Sequence, residues 1–140
     1  MTSPLENLAG PGKPLHVEAA DAQEYLGLLH SGRVRLQDAK RLANSLEGRF
    51  DLAYNAAHSL SLAALRRMGY RPANRYVVFQ AIPHTLGLGP EVWRVLDKCH
   101  TMRNQGEYEG DLNVDDRLVA DLIVACETVL QVLSKLPSPG

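Results

Sequence analysis

The chain has 140 residues, of which 45% are hydrophobic and 22% are charged, and its formal net charge is −1. This length suits one domain with a packed core, which excludes an intrinsically disordered chain, and a charge near zero excludes a general attraction to nucleic acid or anionic membranes. No apolar run reaches the roughly 18 residues that a membrane span requires. Because the N-terminus lacks the pattern of an export signal, we expect a cytoplasmic protein whose two cysteines are reduced.

The first part of the chain predicts a leader and one helix. Residues 1–16 contain three prolines and two glycines without periodicity, so we expect a flexible leader there. Asp21 and Glu24 have the spacing of a capping box, which predicts the start of a helix. The dipeptide Ser31-Gly32 is expected to end it.

Two further apolar series follow at helical spacing. One runs over 36–46 and is broken or weakened at Gly48, and the next runs over 50–64. The second of these helices should end at Met68, because Gly69 suits the position after a helix C-terminus.

Four residues mark the boundaries of the remaining helices. Asn74 is a candidate cap for a short helix that Pro83 should kink or end, and Pro90 is well placed at the first position of another helix. A polar loop leads to Asp115, which is a candidate cap for the last helix. That helix has the widest apolar stripe in the chain, which is typical of a central helix or of one that also packs on a partner.

The sequence therefore predicts an all-α fold, a helical bundle of five to six helices with a long C-terminal helix. We expect one domain over 17–136 and a tail over 137–140. The wide stripe of the last helix also predicts a homodimer that uses this helix and the corner around Arg103.

The charged residues are segregated along the chain. Residues 52–90 contain no Asp or Glu and carry +4, whereas residues 91–140 carry −4. Arginine offers a fork of donors that matches phosphate oxygens, and Tyr70 and Tyr76 lie beside the basic residues and could stack on bases. The alternative is that these basic residues bind no ligand and only keep an exposed helix–loop–helix corner hydrated. The candidate phosphate-binding residues are Arg66, Arg67, Arg71 and Arg75.

The end of the helix that begins at Pro90 carries an unusual arginine. Arg103 follows Leu96 by seven residues and therefore falls on the apolar face. A guanidinium there needs a partner, and Glu107, one turn later, is the local candidate. We expect replacement of Arg103 by alanine to cost more stability than the same change at Arg66. A stripe of Asp97, His100 and Asn104 borders this face and could edge a shallow groove.

The order of these features resembles the HEPN superfamily over about residues 36–136: a long helical hairpin, a penultimate helix ending in Arg-Asn, a short polar loop and a long apolar final helix. The resemblance implies a small all-α bundle that dimerises. It also implies a signature of Arg, often Arg-Asn, with a His four to six residues later, which in the family's nucleases lines a cleft between protomers and cleaves RNA without metal. Arg103 and Asn104 match the first two positions, and Tyr108 occupies the His position.

Three functions remain open from the sequence. The first is a non-catalytic module that binds RNA, a nucleotide or a cognate protein in a toxin–antitoxin or related stress system, with Arg103, Asn104, Glu107 and Tyr108 in its binding site. Tyr108 favours it, since tyrosine has a pKa of about 10 and shuttles protons poorly. The second is a metal-independent ribonuclease toxin that uses Arg103 with His100 or His84. The third is a structural dimerisation domain.

No metal or other cofactor is expected. His58, His84 and His100 lie on or near three predicted helices, but the chain lacks the paired Glu-x-x-His motifs of helical di-metal bundles. The run from Asp111 to Asp115 imitates the start of a calcium loop without its glycine or its final glutamate.

Overall fold

The computed structural model of the chain describes residues 4–109 and 114–139. Within them the fold is mainly α-helical, which confirms the predicted class, and no described helix is both long enough and apolar enough to cross a membrane. The described elements are seven helices and two short strands: α1 (Pro4–Asn7), β1 (Leu15–Val17), α2 (Ala22–Ala39), α3 (Leu46–Arg67), β2 (Tyr70–Pro72), α4 (Arg75–Gln80), α5 (Ile82–Thr85), α6 (Pro90–Glu109) and α7 (Asp116–Lys135).

Helix α2 begins where the capping box predicts, because the Asp21 side chain accepts hydrogen bonds from the backbone N–H groups of Gln23 and Glu24. The predicted end at Ser31-Gly32 is wrong, since the helix continues to Ala39. Gly32 serves a different purpose: a Cβ added there would lie 2.5 Å from Cδ2 of Leu60. The glycine therefore allows α2 and α3 to approach each other closely.

The break between α2 and α3 is at residues 40–45, ahead of the predicted break at Gly48. The Ser45 side chain caps α3 by accepting a hydrogen bond from the N–H of Gly48, which lies in the first turn of that helix. Helix α3 ends as predicted at Met68, and Gly69 adopts a φ of +87°. This left-handed conformation is one that glycine adopts without steric cost.

Helix α3 is the centre of the bundle. It packs most extensively against α2 and next against α7, and it also contacts β2, α4, α5 and α6. The described part of its buried face contains several small residues, which let its neighbours approach closely: Ala53, Ala56, Ala57, Ala63 and Ala64.

Helix α7 covers the other side of α3. Its start is confirmed, because the Asp115 carboxylate accepts a hydrogen bond of 2.8 Å from the N–H of Leu118. The helix packs against α2, α3 and α6 of its own chain, so these contacts account for the wide apolar stripe without a second copy. Val124 is its most exposed large hydrophobic residue, at 61%.

The described part of the predicted leader, residues 4–16, contacts the bundle through β1 and through buried leucines. Strand β1 pairs antiparallel with β2, with Leu15 opposite Pro72. Leu5 and Leu15 are buried in a small second core with Leu65. Single apolar residues in such short elements create no periodicity, so the sequence pattern did not reveal them.

Candidate functional site

Arg66 was predicted to lie in a solvated cluster, and that prediction is wrong. The residue is only 2% exposed, and its Nε donates to Oε1 of Glu24 at 2.5 Å. Its terminal nitrogens donate to the backbone carbonyls of Glu18 at 2.9 Å, Ala19 at 2.7 Å and Tyr70 at 3.2 Å. Arg66 therefore joins the end of α3 to β2 and to the segment before α2, and it is not available to bind phosphate.

Arg71 is also paired, but it remains partly exposed. Its Nε donates to Oε2 of Glu18 and its Nη2 donates to Oε2 of Glu24, each at 2.7 Å. Hydrogen bonds from Arg71 and then Arg66 lower the pKa of Glu24, and those to Glu24 and Glu18 raise the pKa of Arg71. Two arginines thus face two carboxylates that come from outside the acid-free segment 52–90.

Arg67 and Arg75 complete the predicted basic group. Arg67 is half-exposed, and its Nε donates to the carbonyl of Pro137 at 2.9 Å. Arg75 is exposed and makes no hydrogen bond or ion pair with the residues that the structure describes. Arg75 and Arg71 line an open pocket of about 270 Å³ together with His58 and Asn74.

The second predicted site forms a corner between α3 and α6. Arg103 forms an ion pair with Asp51, and its guanidinium carbon lies 5.4 Å from the centre of the Tyr54 ring. The Arg103 side chain is 22% exposed. The prediction that Arg103 needs a partner is confirmed, and Asp51 is a partner that the structure describes. The side chains of Glu107 and Tyr108 lie outside the described residues, so their roles stay predictions.

His100 lies behind this corner and is only 8% exposed. Its Nδ1 is 3.0 Å from the hydroxyl of Tyr54, and its Nε2 is 3.2 Å from Nδ2 of Asn104. Both ring nitrogens are therefore engaged within the protein.

Helix α4 brings the two predicted sites together. Tyr76, which directly follows Arg75, is 45% exposed, and its ring centre lies 5.5 Å from that of His100. Phe79, one turn later, lies 5.8 Å from the His100 ring and 6.2 Å from the His58 ring. We call the surface formed by Arg75, Tyr76, His100, Arg103 and Asn104 the α4–α6 face.

The electrostatic state of His58 reflects its position near this face. Burial, followed by the charges of Arg75 and His100, lowers its pKa to about 4. The imidazole is therefore neutral at pH 7. His84, the other histidine considered for catalysis, lies exposed on α5, a helix that packs against α3 and α4.

A small pocket of about 80 Å³ adjoins Tyr76 and is lined also by Trp93 and Asp97. Of the predicted stripe of Asp97, His100 and Asn104, Asp97 alone lines this pocket, so the shallow groove stays a prediction. No local spacing connects Trp93, Tyr54 or Asp51 to Arg103 or Arg75, so these three were not predicted as site residues. His58 was considered from the sequence only as a metal ligand. Among the described residues, no three His, Cys, Asp or Glu side chains converge to hold a metal ion.

Comparisons of the chain with models of known families, with curated proteins and with solved structures found no match. The chemistry of the α4–α6 face and of its neighbouring pocket is therefore the basis for a functional proposal.

Proposed function

We propose that this chain is a non-catalytic, HEPN-like helical module that binds RNA or a nucleotide on the α4–α6 face. The observation that carries the proposal is the position of Tyr76, an exposed ring that directly follows Arg75 on α4 and lies 5.5 Å from the ring of His100, which in turn contacts Asn104. Arginines that contact phosphate beside an aromatic ring that stacks on a base are a common means of binding single-stranded nucleic acid.

The environment of His100 supports a function in binding rather than in cleavage. A general base must come within hydrogen-bonding reach of the proton that it removes. His100 is nearly buried, and its two ring nitrogens already contact Tyr54 and Asn104. His58 is a weak base as well, since its pKa is about 4.

The order of the helices supports the HEPN-like part of the proposal. The long α2–α3 hairpin is followed by α6, which carries Arg103 and Asn104 in its last turns, and then by the long α7. By this resemblance we propose a cytoplasmic role in a toxin–antitoxin or related stress system, as a homodimer with a cognate protein partner.

The test is a binding titration with a fluorescent pool of single-stranded RNA at low salt. We expect Tyr76→Ala to weaken binding by about 1–3 kcal/mol, which is the typical contribution of one stacked base. The matched control is Leu26→Ala, which truncates another exposed hydrophobic residue, on α2, and should bind as the parent chain does. Equal affinities of the two variants would contradict the proposed face.

The same RNA pool, incubated in a metal chelator, tests for catalysis. We expect no cleavage. Cleavage that is lost in His100→Ala or His84→Ala would instead establish the ribonuclease alternative. If the RNA is neither cut nor bound at low salt, RNA binding on the α4–α6 face is refuted.

A structural dimerisation domain is the second candidate, and the exposure of Val124 favours it. Val124 lines a groove of about 370 Å³ between α6 and α7, with Val92 and Val95. Exposed apolar residues in a groove are typical of protein contacts. Dimerisation that depends on Val124, in a protein without affinity for RNA, would support this alternative.

A further inference from the structure

The pocket beside Arg75 has walls from three elements. His58 comes from α3, Arg71 from β2 and Arg75 from the start of α4, and the volume is about 270 Å³. Pockets for drug-sized molecules usually measure about 300–1,000 Å³. A pocket slightly below that range suits one phosphorylated group better than a longer ligand.

Arg71 is fixed in place before any ligand arrives. Its Nε and Nη2 are bound to Glu18 and Glu24, whereas its Nη1 makes no hydrogen bond to the residues that the structure describes. A guanidinium held in this way loses little conformational entropy when its remaining donors bind a ligand. Arg71 thus offers a pre-organised donor group at the pocket.

The charge balance at the pocket is positive. All of its lining residues belong to the segment 52–90, which contains no Asp or Glu. Glu18 and Glu24 reach Arg71 from outside this segment, but they also pair with Arg66, so two arginines and two glutamates cancel. The charge of Arg75 is left without a described carboxylate partner.

We infer that this pocket binds the phosphate group of a nucleotide, with Arg75 and the Nη1 group of Arg71 as donors and with Tyr76 beside it to stack on the base. The inference rests on the proposed function and deepens it, because it assigns the phosphate and the base to different parts of one surface. The same phosphate chemistry occurs in a free mononucleotide and at a nucleotide of RNA.

His58 provides a readout for this inference. The charged groups around it are Arg75 on α4, Arg71 on β2 across the pocket and His100 on α6. A dianion bound beside Arg75 offsets the positive charge that helps to lower the pKa of His58. Phosphate binding should therefore raise the pKa of His58.

The experiment uses the full chain and three probes: inorganic phosphate, adenosine 5′-monophosphate and adenosine. Calorimetry measures affinity, and NMR of the imidazole protons measures the pKa of His58, with His58→Gln to assign the signal. We expect the monophosphate to bind at least tenfold more tightly than adenosine, as loss of a charged hydrogen bond implies. Inorganic phosphate should bind and raise the pKa of His58.

Two arginine variants decide where the phosphate binds. Arg75→Gln removes an exposed charge at the pocket, and Arg117→Gln removes another exposed charge, on α7. We expect Arg75→Gln to weaken binding of the monophosphate by roughly tenfold and to abolish the response of His58, whereas Arg117→Gln should change neither. Equal effects of the two variants would overturn the inference, as would equal binding of adenosine and its monophosphate.

RNA titrations separate this inference from the proposed function. If RNA binding depends on Tyr76 but is unchanged in Arg75→Gln, the α4–α6 face stands and the phosphate pocket is refuted. If the monophosphate binds through Arg75 and RNA does not bind, the pocket stands and its ligand is a free nucleotide. Absence of binding by both the monophosphate and inorganic phosphate refutes the pocket, whatever the RNA result.

Discussion

Replacement of Arg66 by alanine removes the side chain that joins α3, β2 and the segment before α2. Five contacts are lost: three to backbone carbonyls and one to each carboxylate of Glu18 and Glu24. Removal of one partner from a buried ion pair costs about 3–5 kcal/mol, because the groups left behind lose their partner without regaining water. This is a large part of the roughly 5–15 kcal/mol that stabilises a typical domain.

Chemical and thermal denaturation measure this loss. In a chain of this size, each kcal/mol of lost stability lowers the melting temperature by about 2–4 °C. The expected loss therefore lowers the melting temperature by roughly 6–20 °C. Arg67→Ala is the matched control, since the neighbouring side chain is more exposed and its described hydrogen bond is to one carbonyl, that of Pro137; it should cost under about 1 kcal/mol. If Arg66→Ala does not fold, Arg66→Lys, which keeps the charge without the fork of donors, should show an intermediate loss.

The predicted role of Arg66 is refuted if the free energies of unfolding of Arg66→Ala and Arg67→Ala differ by less than about 1 kcal/mol.

The ion pairs of Arg66 and Arg71 with Glu18 and Glu24 also predict that stability depends on pH. Because the pKa of Glu24 in the folded protein is lowered from 4.5, its contribution is fully present above that pH and disappears as the pH falls through the lowered value. Acid titration of stability should therefore show a smaller slope in Glu24→Gln than in the parent chain.

Three other predictions follow from the packing. Gly32→Ala should destabilise the protein by about 1–3 kcal/mol because its Cβ overlaps Leu60, whereas Gly27→Ala, with open space in the same helix, should be neutral or stabilising; denaturation curves of both decide this. Burial raises the pKa of Cys99 to about 12 and that of Cys126 further, so a thiol reagent should react with them only at the rate of unfolding; fast labelling of the native protein would contradict this. Light scattering should detect a homodimer that Val124→Glu disrupts, and a monomer at tens of micromolar would count against it.

The helix boundaries that could be predicted from the sequence are those set by local contacts. Asp21, Asn74 and Asp115 cap their helices by bonds to N–H groups two or three residues away, so their spacing is visible in the chain. Gly32 was misread because a glycine that ends a helix and one that admits a neighbouring helix look alike in sequence. Only the position of Leu60 distinguishes the two cases.

The candidate site was predictable to a similar degree. The position of Arg103 on an apolar face indicated that it needs a partner, but Asp51 lies 52 residues away and no pattern pointed to it. The prediction that Arg66 lies in an exposed basic cluster was wrong for the same reason. Arg66 and Arg71 donate hydrogen bonds to Glu18 and Glu24, which lie more than forty residues earlier in the chain. A count of charges within one segment of the sequence does not include the carboxylates that the fold brings to that segment from elsewhere in the chain.

The hydrogen bond from Cys126 on α7 to the carbonyl of Ala53 on α3, at 3.3 Å, has a consequence for synthesis on the ribosome. Helices α2 and α3 are synthesised one after the other and can form their hairpin early. Glu18 and Ala19 have already been synthesised when Arg66 is added, so its hydrogen bonds to them can form at once. The alanine-rich side of α3 then stays uncovered until α7 has been synthesised. The nascent chain should consequently expose an apolar, aggregation-prone surface throughout the translation of α4, α5 and α6, which is when a chaperone would be needed most.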